Sequence, residues 1–376
     1  MAWPVNSNDI LQAIYDLFDS GNWWIYKGDV VRAFEARFAQ AHDCAYGVSV
    51  CNGTVGIDIA LKALGIGPGD RVILPAFDFY SLPKSVLNTG ATPLFVDVCP
   101  ENLTIDVEQV KTQMKTEGVK AVVAVHISGS VAQLDVLQRM CQDAGVFLIE
   151  DCAQATGARY CGQRVGSWGD LGVFSLGGVK LMTCGQGGMI TTSNAELFDK
   201  CHALVNRGLT LDGQLNTYGM IGENYQLSEL AAATLGPQLD ILDDLCDQRE
   251  RRMAWLDREL YQLDGVTPFT QFAGTTCRAQ MTYAFFCHPR TLDQAQLIQQ
   301  ANERDVPLHQ SYSAVSSDAR LFNHFHMAGD YPVAQAAQET TVAISHRHFL
   351  QDDAFWMRLL SELHALLNSS CLLRDS

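Results

Sequence analysis

No stretch of the 376-residue chain approaches the ~20 uninterrupted apolar residues that a bilayer-crossing helix needs. The start, Met1-Ala-Trp-Pro-Val-Asn-Ser-Asn-Asp9, has no basic stretch leading into an apolar run, so no secretory signal is expected. Basic residues are scarce: Lys and Arg number 26 against 42 Asp and Glu, a net charge of −16. A surface this acidic repels phosphate backbones and anionic lipid heads, which argues against nucleic acid or a membrane as the main partner. A small anionic ligand in a local pocket of opposite sign stays compatible with it. The twelve cysteines form no C-x-x-C pair. The surroundings of Cys44, Cys99, Cys152, Cys201 and Cys287 are mostly apolar, and they read as reduced packing residues of a cytoplasmic protein. The chain has no low-complexity linker and no internal repeat. It does have 47% hydrophobic residues, which excludes disorder as the global state. At this length the prior is one large domain with an appendage, or two domains sharing an interface.

From about residue 44, short β-rich runs alternate with helical stretches. Tyr46–Cys51, Val72–Leu74, Pro93–Val96, Ala121–Val125, Val146–Ile149 and Leu171–Phe174 are the strand-like runs. Between them, 54–64, 79–89, 106–116 and 133–144 have helix-like apolar spacing. Near-continuous hydrophobic strands alternating with helices predict an α/β fold with a mostly parallel sheet covered on both faces. Such sheets place ligands outside the carboxyl ends of their strands. The residues to search are therefore Asp78-Phe79, Asp97, His126-Ile-Ser128, Glu150-Asp151 and Ser175. After about residue 226 the pattern changes. A long helical stretch is predicted over 227–263, broken or bent near Gly236-Pro237 because proline cannot continue the ladder. A smaller α+β segment follows, with a strand at Met281–Phe286 and helices at 293–303 and 352–367.

The segment Val173-Phe-Ser-Leu-Gly-Gly-Val-Lys180-Leu-Met-Thr-Cys-Gly185-Gln-Gly-Gly188 holds one lysine, five glycines and no other charge. Desolvation in such a setting lowers the lysine pKa and frees the amine to condense with a carbonyl. Alone, a solvated lysine in a surface turn is the commoner case. Upstream, Leu148-Ile-Glu-Asp151-Cys-Ala-Gln154-Ala-Thr-Gly157 ends a buried strand on an acid followed by small residues. That is what a pyridoxal phosphate site needs, its carboxylate pairing with the pyridinium nitrogen; a helix-capping aspartate is the bland reading. Asn52-Gly53-Thr54, between a strand and a helix, offers free backbone N–H groups for a phosphate, although Asn-Gly also marks ordinary turns. Ser175 can add a hydroxyl to the same phosphate, and Phe79 can lie over a ring or sit in the core.

In order, Asn-Gly-Thr, Pro-Ala-Phe-Asp-Phe, Phe-Val-Asp, Val-His-Ile-Ser-Gly, Ile-Glu-Asp-Cys-Ala-Gln-Ala, Phe-Ser and Lys-Leu-Met-Thr-Cys-Gly-Gln-Gly-Gly resemble the DegT/DnrJ/EryC1/StrS aminotransferases. The resemblance runs from Gly21-Asn-Trp-Trp24 to Ser345-His-Arg-His-Phe-Leu350. It implies a fold-type I, pyridoxal 5′-phosphate-dependent enzyme of amino-sugar or aminocyclitol biosynthesis. It also implies a large cofactor-binding domain with an N-terminal segment over residues 1–245, and a small C-terminal α+β domain over 246–376. By the same resemblance Lys180 is the lysine that carries the cofactor and Asp151 the partner of its ring nitrogen. Gln154 stands beside the cofactor's phenolic oxygen, Gly53, Thr54 and Ser175 cradle the phosphate, and Phe79 stacks on the ring. Asn224, in Gly222-Glu-Asn-Tyr-Gln-Leu-Ser-Glu229, matches the asparagine that reaches the neighbouring subunit's cofactor, which implies a homodimer with shared sites. Two positions depart from the family's common form: Gln186 stands where Glu is usual, and Gln226 where Arg is frequent. The Lys-Leu-Met-Thr wording is similar to the aminocyclitol and aminohydroxybenzoate branch.

The implied reaction moves an amino group from glutamate or glutamine to a keto sugar, nucleotide-linked, or to a keto cyclitol. A lyase of the aminohydroxybenzoate-synthase type on the same scaffold is the nearest alternative, and a silent cofactor-binding regulatory protein the next. The pairs His324/His326 and His346/His348 lack regularly spaced acidic or cysteine partners, so no metal is expected. His126 is either near the ligand or a buried structural histidine. Trp23 and Trp24 mark either the substrate entrance or the subunit interface.

Overall fold

The computed structural model describes residues 3–5, 7–26, 28–288, 293–314 and 330–372. Seven strands form the main sheet, in the order β1 (Tyr46–Val50), β10 (Gly188–Thr192), β9 (Leu171–Ser175), β6 (Phe147–Asp151), β5 (Val119–Val125), β2 (Arg71–Pro75) and β4 (Thr92–Val96). The ladder from β9 through β6, β5 and β2 to β4 is parallel throughout, and β10 runs antiparallel to both of its neighbours.

The sheet is sandwiched, and β5 shows why its sequence reads as an unbroken apolar run. Ala121, Val123 and Val125 join one hydrophobic core, while Val122 and Ala124 join the other on the opposite face. Alternating side chains both meet protein, so no polar position is needed. On the first face lies α3 (Gly53–Ala63), which Gly56 lets approach closely: a β-carbon there would stand 2.7 Å from Val173 Cγ1. On the second lie α2 (Asp29–Ala41) and α6 (Leu134–Ala144), through Phe34, Phe38, Leu134 and Leu137. The N-cap of α2 is Gly28, which has no side chain to cap with. Glu229 supplies the missing acceptor from 199 residues away, taking the N–H groups of Val30 and Val31 at 3.1 and 3.2 Å.

The predicted long helix is two helices, α8 (Glu229–Asp240) and α9 (Leu242–Leu260). The break falls at Ile241 (φ −107°, ψ 6°), and Pro237 sits inside α8. Proline forfeits only one backbone bond, and with a single turn left to run the helix absorbs it. The chain then builds a four-stranded antiparallel sheet, β11 (Val266–Pro268), β13 (Thr282–Cys287), β16 (Thr341–Ser345) and β14 (His309–Gln310), around Tyr283, Phe285, Ile344 and Trp356. This second sheet is tied back to the first. Asp97, just beyond β4, accepts from the N–H groups of Val333 and Ala334, at the start of the helix Pro332–Thr340, at 2.9 Å each. Asp97 is therefore a tether and not a ligand-facing acid. A two-residue strand β3 (Phe77–Asp78) pairs with β15 (Ser313–Ala314), so Asp78 lies opposite Ser313.

Candidate active site

The carboxyl ends of β2, β6 and β9 converge with the N-terminus of α3, and most of the residues singled out in the sequence meet there. Asp151 is the last residue of β6; its Oδ1 accepts from Ala153 N–H at 3.0 Å. Burial pushes its carboxyl above the usual range, opposed by the Ala153 bond and by Lys180. Lys180 follows β9 on a turn closed by its own N–H to Gly177 O at 3.1 Å. Burial lowers its pKa, against the pull of Asp151 and Asp78. Its Nζ rests 3.2 Å from Met281 Sδ, a soft neighbour that leaves the amine free for chemistry.

Gln154 is buried, and its Oε1 accepts from Ser128 N–H at 3.2 Å, which leaves its amide N–H groups to give. Ser128 holds a left-handed backbone (φ 57°), rare for serine, and its Oγ is 2.8 Å from Ser311 Oγ. The α3 N-terminus is capped by Asn52, whose Oδ1 takes Val55 N–H at 2.9 Å, so the Gly53 and Thr54 N–H groups stay open toward the site. Ser175, at the end of β9, closes the other side: a β-carbon on Gly53 would stand 2.9 Å from Ser175 Cβ. Thr54 Oγ1 is 3.5 Å from Ser81 Oγ, and Gly177 N–H is 3.4 Å from Ser175 Oγ. The Phe79 ring is 45% exposed, 4.4 Å from Tyr80 and 6.4 Å from Tyr312 between centroids, so it is a wall of the opening and not core.

Asn224 is not drawn into this group. It lies exposed on the segment that bridges back to Asn206, and its side chain makes no hydrogen bond among the described residues. Its neighbour Tyr225 accepts through its backbone carbonyl from Cys51 N–H at 2.8 Å, which runs the segment's backbone alongside the turn before α3. His126 is fully buried and structural: Nδ1 accepts from Ala132 N–H at 3.2 Å, and Nε2 faces Glu150 Oε2 at 3.3 Å. His346 is also buried. It opens a 3-10 turn (His346–Leu350), and its Nε2 bonds Val179 O, next to Lys180, at 3.0 Å. His348 stacks on Phe355 at 5.7 Å. His324 and His326 lie outside the described residues.

Three contributors are not legible as site residues in the sequence. Asp78, 6% exposed, reads there only as a strand-end acid, and Met281 and His346 flank strands of the second sheet. A cavity of about 260 Å³ lies on that side, lined among others by Val179, Met281, Ser311, Tyr312 and Arg347.

The profile of the DegT/DnrJ/EryC1/StrS aminotransferase family matches residues 4–356. An L-glutamine:2-deoxy-scyllo-inosose aminotransferase of Streptomyces paromomycinus is 37% identical over 298 residues, 75% of this chain and 69% of that protein. A GDP-perosamine synthase of Vibrio cholerae is 36% identical over 230 residues, 61% of this chain and 62% of that one. The crystal structure of 3-amino-5-hydroxybenzoic acid synthase superposes with a TM-score of 0.91 at 28% identity, over 98% of each chain. The sheet order, the strand-end acid and the glycine-flanked lysine thus stand on the fold-type I scaffold, and the chain belongs to the DegT/DnrJ/EryC1/StrS aminotransferase family.

Proposed function

We propose that this aminotransferase holds pyridoxal 5′-phosphate on Lys180 and moves an amino group from glutamine or glutamate to a ketone on a cyclitol or a nucleotide-linked sugar. The observation that carries the reading is the lysine itself: one amine in a desolvated turn, flanked by glycines and faced by a strand-end carboxylate. The residues present fit the cofactor, because the notch between Gly53 and Ser175 is a cradle that a single β-carbon would fill. When bound, pyridoxal phosphate supplies an electron-sink ring that stabilises negative charge at an amino acid's α-carbon.

In this reading Asp151 holds the proton on the ring nitrogen. The Gly53 and Thr54 N–H groups and the Ser175 hydroxyl bind the phosphate. Gln154 donates its free amide N–H toward the phenolic oxygen, while Ser128 N–H fixes that amide's orientation. Phe79 covers a ring face. Lys180 Nζ, once displaced by the donor, takes the proton from the donor's α-carbon; in the second half-reaction it returns a proton to the acceptor's amine-bearing carbon. Burial keeps that amine neutral more of the time than a surface lysine, as a base requires.

A homodimer with shared sites belongs to the proposal. The outer side of α1 (Asn8–Asp19) exposes Leu11 (67%), Tyr15 (63%) and Phe18 (65%), and Trp24 (69%) and Ile221 (90%) add to the apolar surface, more than a monomer ordinarily leaves wet. A separate C-terminal domain is supported by the second core, whose residues run from Met253 to Leu367, although the expected 245/246 cut falls inside α9. A cytoplasmic location belongs to the proposal; among the described residues no helix is long and apolar enough to cross a membrane.

The likeness to 3-amino-5-hydroxybenzoic acid synthase favours a second reading, an aromatising elimination at the same lysine. Incubating the holoprotein with glutamine or glutamate and a panel of keto cyclitols and nucleotide-linked keto sugars separates the two by product mass. An aminated product supports transfer, and a dehydrated aromatic product supports elimination. Borohydride fixing of the cofactor at any lysine other than Lys180 would overturn the site.

A further inference from the structure

One carboxyl of the site is unassigned. Asp78 ends β3, the short strand that follows β2, and its backbone is held there by pairing with Ser313 on β15. The residue is 6% exposed, and its Oδ2 is buried with no hydrogen-bond partner. A buried carboxyl oxygen left unpaired is costly, and natural proteins keep one where a partner arrives during function. The charges it feels are those of Asp151 from β6 and Lys180 from the turn after β9, and Tyr312, on the approach to β15, feels its charge in turn.

We propose that Asp78 is a positioning residue of the transfer reaction, the counter-charge that Lys180 Nζ meets whenever the lysine stands free of the cofactor. The inference rests on the reading of Lys180 as the cofactor lysine, with Asp151 committed to the ring nitrogen. A released lysine that has taken a proton is a buried ammonium, and it needs a carboxylate that is not already engaged. Asp78 is that group. Asp78 is ionised while Lys180 acts as the base: the proton leaves the donor's α-carbon for Nζ, so that amine plus carboxylate becomes ammonium plus carboxylate, and the electron pair of the broken C–H bond would pass to the electron-sink ring. Burial and the Asp151 charge favour the protonated carboxyl, and Lys180 opposes them. The Tyr312 hydroxyl is pushed above its usual range by burial and by the same two acids, so it stays neutral throughout.

The test uses the apoprotein, so it does not depend on cofactor chemistry. Acetylation of Lys180 by acetic anhydride is followed by peptide mass spectrometry from pH 6 to 11, with exposed Lys111 as the internal reference. Asp78→Asn should lower the Lys180 midpoint by about one unit, and Asp78→Glu should restore most of it. Equal midpoints in the wild type and Asp78→Asn overturn the proposal. If Asp78→Asn does not fold, Asp78→Ser takes its place in the same titration, and a midpoint equal to that of the wild type overturns the proposal. Failure of the functional reading shows separately, as wild-type protein that binds no pyridoxal phosphate.

Discussion

Two acids adjacent in the chain, Glu150 and Asp151, do unrelated work because a strand turns successive side chains to opposite faces. Glu150 is fully buried, and its two oxygens accept from Gly166, Trp168 and Gly169 N–H at 2.7–2.8 Å. Asp151 points into the site. Asp151→Asn should therefore leave the melting temperature within about 2–4 °C of wild type while turnover falls at least ~100-fold. Glu150→Ala should do the reverse, costing about 3–5 kcal/mol by stranding three buried donors; thermal melts and single-turnover rates on both variants check this. A second residue-scale expectation concerns His42, stacked on Phe38 at 4.1 Å. Its Nδ1 faces Phe38 O at 2.9 Å and its Nε2 accepts from Gly157 N–H at 3.3 Å, so the buried ring must be neutral. Burial holds its pKa down at about 3. The unfolded chain thus binds the proton first: the stability this residue contributes is complete above pH ~6.5 and is lost as pH falls toward 3. His42→Gln should flatten the acid limb of stability by about 1.4 kcal/mol per pH unit between pH 6 and 4, read by urea titration at each pH.

At the scale of elements, the cradle is a strand end meeting a helix start, and Gly53 sets how close they come. Gly53→Ala should push Ser175 away and weaken pyridoxal phosphate binding by about tenfold or more, with circular dichroism unchanged; dialysis against graded cofactor measures it. The parallel strands were legible in the sequence because both faces are buried, so β5 and β6 read as unbroken apolar runs. The break between α8 and α9 was not legible where proline suggested it, because Pro237 lies within one turn of the helix end and the cost of its missing N–H is borne there. Lys180 and Asp151 were legible through resemblance and through their flanking residues. Met281 and His346 were not: they reach Lys180 and Val179 across 101 and 167 residues, a proximity no local pattern encodes. Asp78 could be seen as a strand-end acid, but its open Oδ2 is a property of packing alone.

At the scale of the whole molecule, Asn224 tests the shared-site proposal. It is exposed, and its side chain makes no hydrogen bond among the described residues. If it serves the neighbour, Lys180→Ala and Asn224→Ala chains refolded together give hybrids with one doubly defective site and one intact site. Activity should then rise well above that of either mutant homodimer, up to about half of wild type per hybrid. Confirmed hybrids with no gain would place Asn224 in its own chain's site.

The His346–Val179 bond has a mechanical consequence. Lys180 is approached from two bodies of protein: it sits on the turn that leaves β9 of the seven-stranded sheet, while Met281 and His346, at the ends of β13 and β16 of the four-stranded one, contact its amine and the carbonyl of its neighbour Val179. A tilt between the two sheets would therefore change what surrounds the Lys180 amine without breaking a hydrogen bond inside either sheet.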